Sequence, residues 1–249
     1  MTEAFGDPSD PTILLIHGAG STMLSWDDEL CTRLAAAGRF VIRYDLRDLP
    51  TLDAYVRDAI AILDAHLVPR AHVVGMSFGG AIAQRLALDH PRRVSALTLA
   101  SATPGGPGHP TPDLPGPSRA LPDPPEPDWN DRDAVVDYLV EAERPYAARF
   151  DEQAARELAE RVFEHGLPAQ GGDFELGDPW RQRLPAITAP TLVIHGTEDP
   201  VFPLDHGLAL ANEIPGASLL ALKDTGHEYF PRATWDVVVP LLLRSHVGA

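Results

Sequence analysis

The sequence predicts an α/β fold: a doubly wound, mostly parallel sheet, interrupted once by a helical insertion. Three observations predict it. Short apolar runs recur along the chain with helix-like patterns between them, the signature of strand–helix–strand units. The runs are continuous rather than alternating, as expected of strands covered on both faces. The alternation stops at Ser101 and resumes near Pro185, which marks the insertion.

The run Thr12-Ile13-Leu14-Leu15-Ile16 is the first strand. Ser25 then serves as N-cap to a helix opening on Trp26-Asp27-Asp28, whose acids suit the positive end of the helix dipole. Leu30, Leu34 and Ala37 give that helix an apolar face, and Gly38 stops it. Residues 40–44 form the next strand and 52–66 the next helix, with Val56, Ile60 and Leu63 on one side. The strand His72-Val73-Val74 and a helix at 80–90 follow, then a strand at 94–99. Past the insertion come a strand at 191–195, a helix at 204–212, a strand at 218–222 and a helix at 233–243, where Pro240 argues against a straight axis.

Within the insertion, residues 104–127 are dense in proline and glycine and read as an irregular loop. Two helices follow, at 131–144 with Val135, Tyr138 and Leu139, and at 151–165 with Leu158, Val162 and Phe163. The expected division is a core of 1–102 and 186–249, and an insertion of 103–185 with its proline-rich entry at 103–128.

Composition narrows the function. A net charge of −16 argues against nucleic acid and anionic membranes as partners, because both would be repelled. No apolar stretch approaches a membrane span, and the first residues have neither a basic start nor an apolar run, so the expected location is cytoplasmic. The single cysteine, Cys31, excludes an internal disulfide and reads as a packed or partly exposed thiol. No histidine has companions at metal-ligand spacing, so no metal site is expected. The assembly expected is a monomer or homodimer.

The chemistry centres on Gly75-Met76-Ser77-Phe78-Gly79, which joins an apolar strand to a helix. A serine flanked by glycines at such a turn is a nucleophile elbow. The sharp turn strains the serine backbone by about 1–3 kcal/mol, and neighbours without a Cβ leave room for it. The helix start presents N–H groups that stabilise negative charge. Asp199 follows the strand 191–195 in Gly196-Thr197-Glu198-Asp199-Pro200, and His227 follows the strand 218–222 in Thr225-Gly226-His227-Glu228. Serine, then acid, then histidine, each after a strand, is the chain order of the α/β-hydrolases. In this reading Ser77 is the nucleophile, His227 its base and Asp199 the acid that orients the imidazole. Glu198 is the nearest rival for the acid. The N–H of Phe78, just after the nucleophile, is one oxyanion donor.

On these residues the chain resembles a serine α/β-hydrolase of the esterase and lipase type. It is most similar to the actinomycete methylesterases of aromatic polyketide esters, the aclacinomycin methylesterase type. The resemblance is carried by Trp26-Asp27-Asp28-Glu29-Leu30, Val41-Ile42-Arg43-Tyr44-Asp45-Leu46-Arg47-Asp48, Ala71-His72-Val73-Val74-Gly75-Met76-Ser77 and Pro190-Thr191-Leu192-Val193-Ile194. It implies a cofactor-free ester hydrolase acting on a small molecule through an acyl-enzyme. It makes the insertion a cap over the site, and it makes the N–H of Ala19, in His17-Gly18-Ala19-Gly20, the second oxyanion donor. The chain departs from its relatives after Asp48, passing directly to Leu49-Pro50-Thr51-Leu52 where they continue with a Gly-x-Ser loop.

Candidates for the substrate pocket are Gly20, Met76 and Phe202 from the core, and Tyr138, Tyr146, Phe163 and Trp180 from the cap. Trp129, Phe150 and Phe174 complete the aromatic content of the cap, and sequence does not sort them. Arg43, Asp45, Arg47 and Asp48 read as a structural turn network, and His17 as the organiser of the oxyanion loop. The same triad also serves carbon–carbon bond hydrolases, lactonases and perhydrolases, and a hydrolase fold can survive in a non-catalytic binding protein.

Overall fold

The computed structural model describes residues 1–106, 108–167 and 175–244. Phe174 and His246 lie outside the described residues. A seven-stranded sheet runs in the order β1-β3-β2-β4-β5-β6-β7, the strands being β1 (Thr2–Phe5), β2 (Thr12–Ile16), β3 (Phe40–Tyr44), β4 (Ala71–Met76), β5 (Val94–Ala100), β6 (Thr191–Gly196) and β7 (Ser218–Leu222). Every neighbouring pair is parallel except β1–β3. Strand β1 has no counterpart among the sequence expectations. Its four residues alternate between exposed and half-buried, so it carries no apolar run.

The helices are α1 (Asp28–Ala36), α2 (Leu52–Ala65), α3 (Phe78–Asp89), α4 (Arg132–Glu143), α5 (Glu152–His165), α6 (Asp205–Glu213) and α7 (Trp235–Arg244). Strand pleating sends alternate residues into two separate cores. On one face Leu14, Ile42, Val73, Leu97 and Val193 pack with Leu52, Val56, Ile82 and Leu210. On the other Ile13, Leu15, Val41, Val74 and Ile194 pack with Leu30, Leu34, Val238 and Leu242. Cys31 is fully buried in this second core, and burial pushes its thiol up to about 12, against the opposing pull of Arg43.

Local chemistry differs from the sequence expectation at three places. Asp27, not Ser25, caps α1: its carboxylate accepts the Glu29 N–H, while Met23–Ser25 form a 3₁₀ turn of their own. The last helix is preceded by a 3₁₀ turn, Arg232–Thr234, and contains Pro240. Arg43, Asp45 and Arg47 do not form one network. Arg43 is buried and pairs with Glu3 and Asp28, tying β3 to β1 and α1, and Arg47 pairs with Asp58 on α2. Asp45 accepts the Met23 N–H at 3.0 Å and meets His165 Nε2 at 2.9 Å, linking the sheet to the end of α5. In the shortened stretch after Asp48, Thr51 caps α2 by accepting the Ala54 N–H.

The proline-rich stretch is pinned to the core rather than loose. Gln84 on α3 donates to Thr103 O and accepts the Gly105 N–H, and Arg181 joins Asp113 to Glu213. The Ser118 N–H donates to Pro200 O at 2.9 Å. Helices α4 and α5 share a small apolar cluster of Val136, Val140 and Ala159, flanked by Leu139, Phe150 and Phe163. No helix among the described residues is long and apolar enough to cross a membrane.

Candidate active site

Ser77, Asp199 and His227 follow β4, β6 and β7, so all three lie beyond the carboxyl ends of parallel strands, where open α/β sheets bind ligands. Ser77 is the N-cap of α3 with φ 51° and ψ −112°, a left-handed conformation that costs a non-glycine residue about 1–3 kcal/mol. Its N–H donates to Ala100 O at 2.9 Å, and its carbonyl accepts the Gly80 N–H at 2.9 Å, so both strand and helix hold the turn. The glycines are required by contact. A Cβ at Gly75 would fall 2.2 Å from Gly79 O, and one at Gly79 would fall 2.3 Å from Ile16 O.

Asp199 is buried and fully committed. Its Oδ1 accepts the N–H groups of Val201 and Phe202, each at 2.9 Å, and its Oδ2 lies 2.8 Å from His227 Nδ1. Burial pushes its pKa up, but the His227 hydrogen bond and charge, with His195 and the Phe202 N–H, outweigh that and hold it below the usual carboxylate range. An ionised carboxylate only accepts, so the His227 proton sits on Nδ1 and Nε2 is the basic nitrogen. Glu198, the rival acid, has its N–H bonded to Thr225 O. His195 lies beneath, its Nε2 donating to Phe202 O at 2.7 Å, and burial pushes its pKa down despite the neighbouring Asp199.

The loop after β2 faces the elbow. His17 is buried, donating from Nδ1 to Gly18 O at 2.8 Å and accepting the Leu46 N–H at Nε2, 2.9 Å. Burial lowers its pKa, which suits a neutral ring that both donates and accepts. Gly18 is buried, while Ala19 and Gly20 are exposed to the cavity. Gly20 has φ +69°, which favours glycine. Phe78 opens α3, so its N–H belongs to the first turn, whose donors point out of the helix.

A cavity of about 510 Å³ joins these parts, walled by Gly18, Ala19, Gly20, Met76, Ser77 and His227 from the core and by α4 and α5. Of the expected pocket residues Tyr138 and Tyr146 line it, with Trp129 edge-on to Tyr138 at 5.4 Å. Three differ from expectation. Trp180 is 1 % exposed and packs in the core, its Nε1 donating to Gln84 Oε1, because α3 offers it both an apolar face and an acceptor. Phe163 packs against the α4–α5 cluster under Arg132. Phe202 does not line the cavity either; its ring stands 5.6 Å from the His227 imidazole and braces it from behind.

Three contributors escaped the sequence. The Tyr229 hydroxyl accepts the Gly18 N–H at 2.7 Å, and burial pushes its pKa up to about 12. Glu228 accepts the Gly226 N–H at 2.7 Å and the Ala148 N–H at 3.2 Å. Glu143 points into the cavity, which also holds Asp123 and Glu126; no arginine or lysine joins them among the described lining residues. Surrounding protein pushes the Glu143 carboxyl up, the charge of His227 opposes, and Glu228 adds to the rise. Tyr229 and Glu228 adjoin His227 in sequence, which is the only signal that marks them.

A model of the alpha/beta hydrolase family matches residues 13–241. The rhodomycin D methylesterase of Streptomyces sp. (strain C5) is 35% identical, over 91% of this chain and 88% of that protein. A 2-hydroxy-6-oxononadienedioate/2-hydroxy-6-oxononatrienedioate hydrolase of a Pseudomonas species is 28% identical over 88% of this chain and 82% of its own. The crystal structure of an esterase from Rhodococcus sp. ECU1013 superposes with a TM-score of 0.73 at 22% identity, covering 99% of this chain and 94% of the other.

Proposed function

Because the chain belongs to the alpha/beta hydrolase family, we propose that Ser77, His227 and Asp199 together hydrolyse a carboxylic ester of a small molecule. One observation carries the reading: the 2.8 Å Asp199–His227 hydrogen bond beside the cavity whose wall holds the strained Ser77. His227 Nε2 takes the Ser77 hydroxyl proton as Oγ attacks the ester carbonyl. The tetrahedral oxyanion is received by the N–H groups of Phe78 and Ala19, each worth about 3–4 kcal/mol at the transition state. The imidazolium returns the proton to the departing alkoxide, leaving an acyl-Ser77. A water then gives its proton to His227 and attacks the acyl carbon; the acyl–Oγ bond breaks, the imidazolium returns the proton to Ser77 Oγ, and the acid leaves. All these groups come from one chain, so a monomer suffices and no cofactor enters. The segment between β5 and β6 acts as the cap, and the cytoplasm is the compartment proposed, in keeping with the lone buried thiol.

The cavity also bears on the substrate. A wall with Asp123, Glu126 and Glu143 and no arginine or lysine among its described residues repels anionic esters. The carbon–carbon bond hydrolase reading is thereby disfavoured, since the relative of that class is named for a dicarboxylate. The methylesterase relative favours an ester of a small alcohol. The test is a fluorophosphonate followed by intact-mass analysis, beside turnover of p-nitrophenyl butyrate. One adduct, absent from Ser77→Ala along with turnover, is expected. A Ser77→Ala protein of full activity would remove the mechanism.

A further inference from the structure

The cap turn at 145–149 lies backbone to backbone against the loop that carries His227. The His227 N–H donates to Tyr146 O at 2.8 Å. A Cβ on Gly226 would fall 2.1 Å from that same oxygen and 2.8 Å from Ala148 N, so glycine alone permits the approach. Glu228 closes the contact, one carboxylate oxygen accepting the N–H of Gly226 on its own loop and of Ala148 on the cap. Arg149 reaches Asp224 at 2.6 Å on the flank, and Arg119 braces the turn from outside by donating to Pro145 O and Ala147 O. The two segments are about eighty residues apart in the chain, yet three separate polar contacts join them.

We propose that Glu228 is a positioning residue for His227: it clasps the cap turn to the histidine loop, so a seated cap is a condition for an aligned imidazole. The proposal rests on the reading of Ser77 and His227 given above. The side-chain hydrogen bond of His227 fixes its ring only toward Asp199. The height of that ring over Ser77 depends on the loop backbone, which the cap turn holds through the His227 N–H and by close approach at Gly226, while Glu228 ties the Gly226 N–H to the same clasp. The cap therefore does more than select substrates. It completes the frame in which the proton moves.

The experiment measures kcat and KM for p-nitrophenyl acetate, a substrate small enough to need little of the cap, in three variants. End-point titration with a fluorophosphonate counts competent sites, which separates slow turnover from unfolded protein. Glu228→Ala is expected to lower kcat per titrated site about tenfold to a hundredfold, the scale of a small misplacement of a reacting group, with KM little changed. Glu228→Gln, whose amide oxygen accepts the same two N–H groups, is expected to recover most of it. Gly226→Ala, which pushes the cap turn away with Glu228 intact, should match Glu228→Ala. Wild-type kcat per site in Glu228→Ala or Gly226→Ala overturns the proposal, as does Glu228→Gln as slow as Glu228→Ala. A wild-type enzyme that is neither labelled nor active overturns the catalytic reading itself, a distinct result.

Discussion

The hydroxyl of Tyr229 accepts the backbone N–H of Gly18 at 2.7 Å, across 211 residues of sequence. The contact joins the loop that presents Ala19 to the loop that presents His227. The ring is held edge-on by Trp26, 5.0 Å away, so the hydroxyl has little freedom to leave. Tyr229→Phe keeps the ring and leaves a buried N–H without its acceptor, a cost of about 1–3 kcal/mol. Because the strand end anchors Gly18, the expected relief is a shift of the Ala19 N–H. The expected result is a fall in kcat of roughly tenfold with little change in KM, read from steady-state kinetics on one ester.

Asp199→Asn should keep the fold, since an amide oxygen still accepts from Val201 and Phe202. Its NH₂ then faces His227 Nδ1 and favours the tautomer with the proton on Nε2, where the base is needed. Turnover should fall by up to about four orders of magnitude, as in a serine protease. Glu198→Gln should be mild. The reverse order in a side-by-side assay would assign the acid to Glu198.

Tyr138 and Trp180 are both aromatic and both in the insertion, but the cavity separates them. Tyr138→Ala enlarges the wall and should change the bulky-to-short ester ratio in kcat/KM by about 1–3 kcal/mol. Trp180→Ala empties a core site and should cost about 3–5 kcal/mol of stability with that ratio unmoved. Kinetics on paired esters, with urea unfolding, tells them apart.

Asp45 gives a pH dependence with a definite sign. Burial pushes its pKa up, but the Met23 N–H, His165 and the N-terminal ammonium outweigh that and depress it. A carboxylate with a depressed folded pKa contributes stability above its unfolded pKa of about 3.9, lost as pH falls through the folded value. Asp45→Asn should therefore destabilise by about 1–3 kcal/mol at pH 7, and the gap should shrink below about pH 4. Urea titrations at pH 7 and pH 3 check it; an equal gap at both would exclude the carboxylate charge as its source.

The strands beyond β1 and the convergence of Ser77, Asp199 and His227 were legible because parallel strands announce themselves as apolar runs and their carboxyl ends follow. Strand β1 was not, since an antiparallel edge strand with one wet face needs no such run. Trp180 misled for a related reason: an aromatic in an insertion satisfies burial equally in a pocket wall or in the core, and only the Gln84 acceptor decides. Tyr229 and Glu228 each accept a hydrogen bond from a backbone N–H far along the chain, a contact that leaves no periodicity or spacing to read.

Cys31, sealed in the second core with its thiol pushed up to about 12, makes the chain silent toward maleimides at neutral pH. Any cysteine added at the surface would then be the sole labelling site, with no background to engineer away. One dye at Gln153 on α5 and another at Leu208 on α6, both exposed, would span cap and core. Energy transfer between them would report the distance between the insertion and the core in single molecules, with the native sequence otherwise untouched.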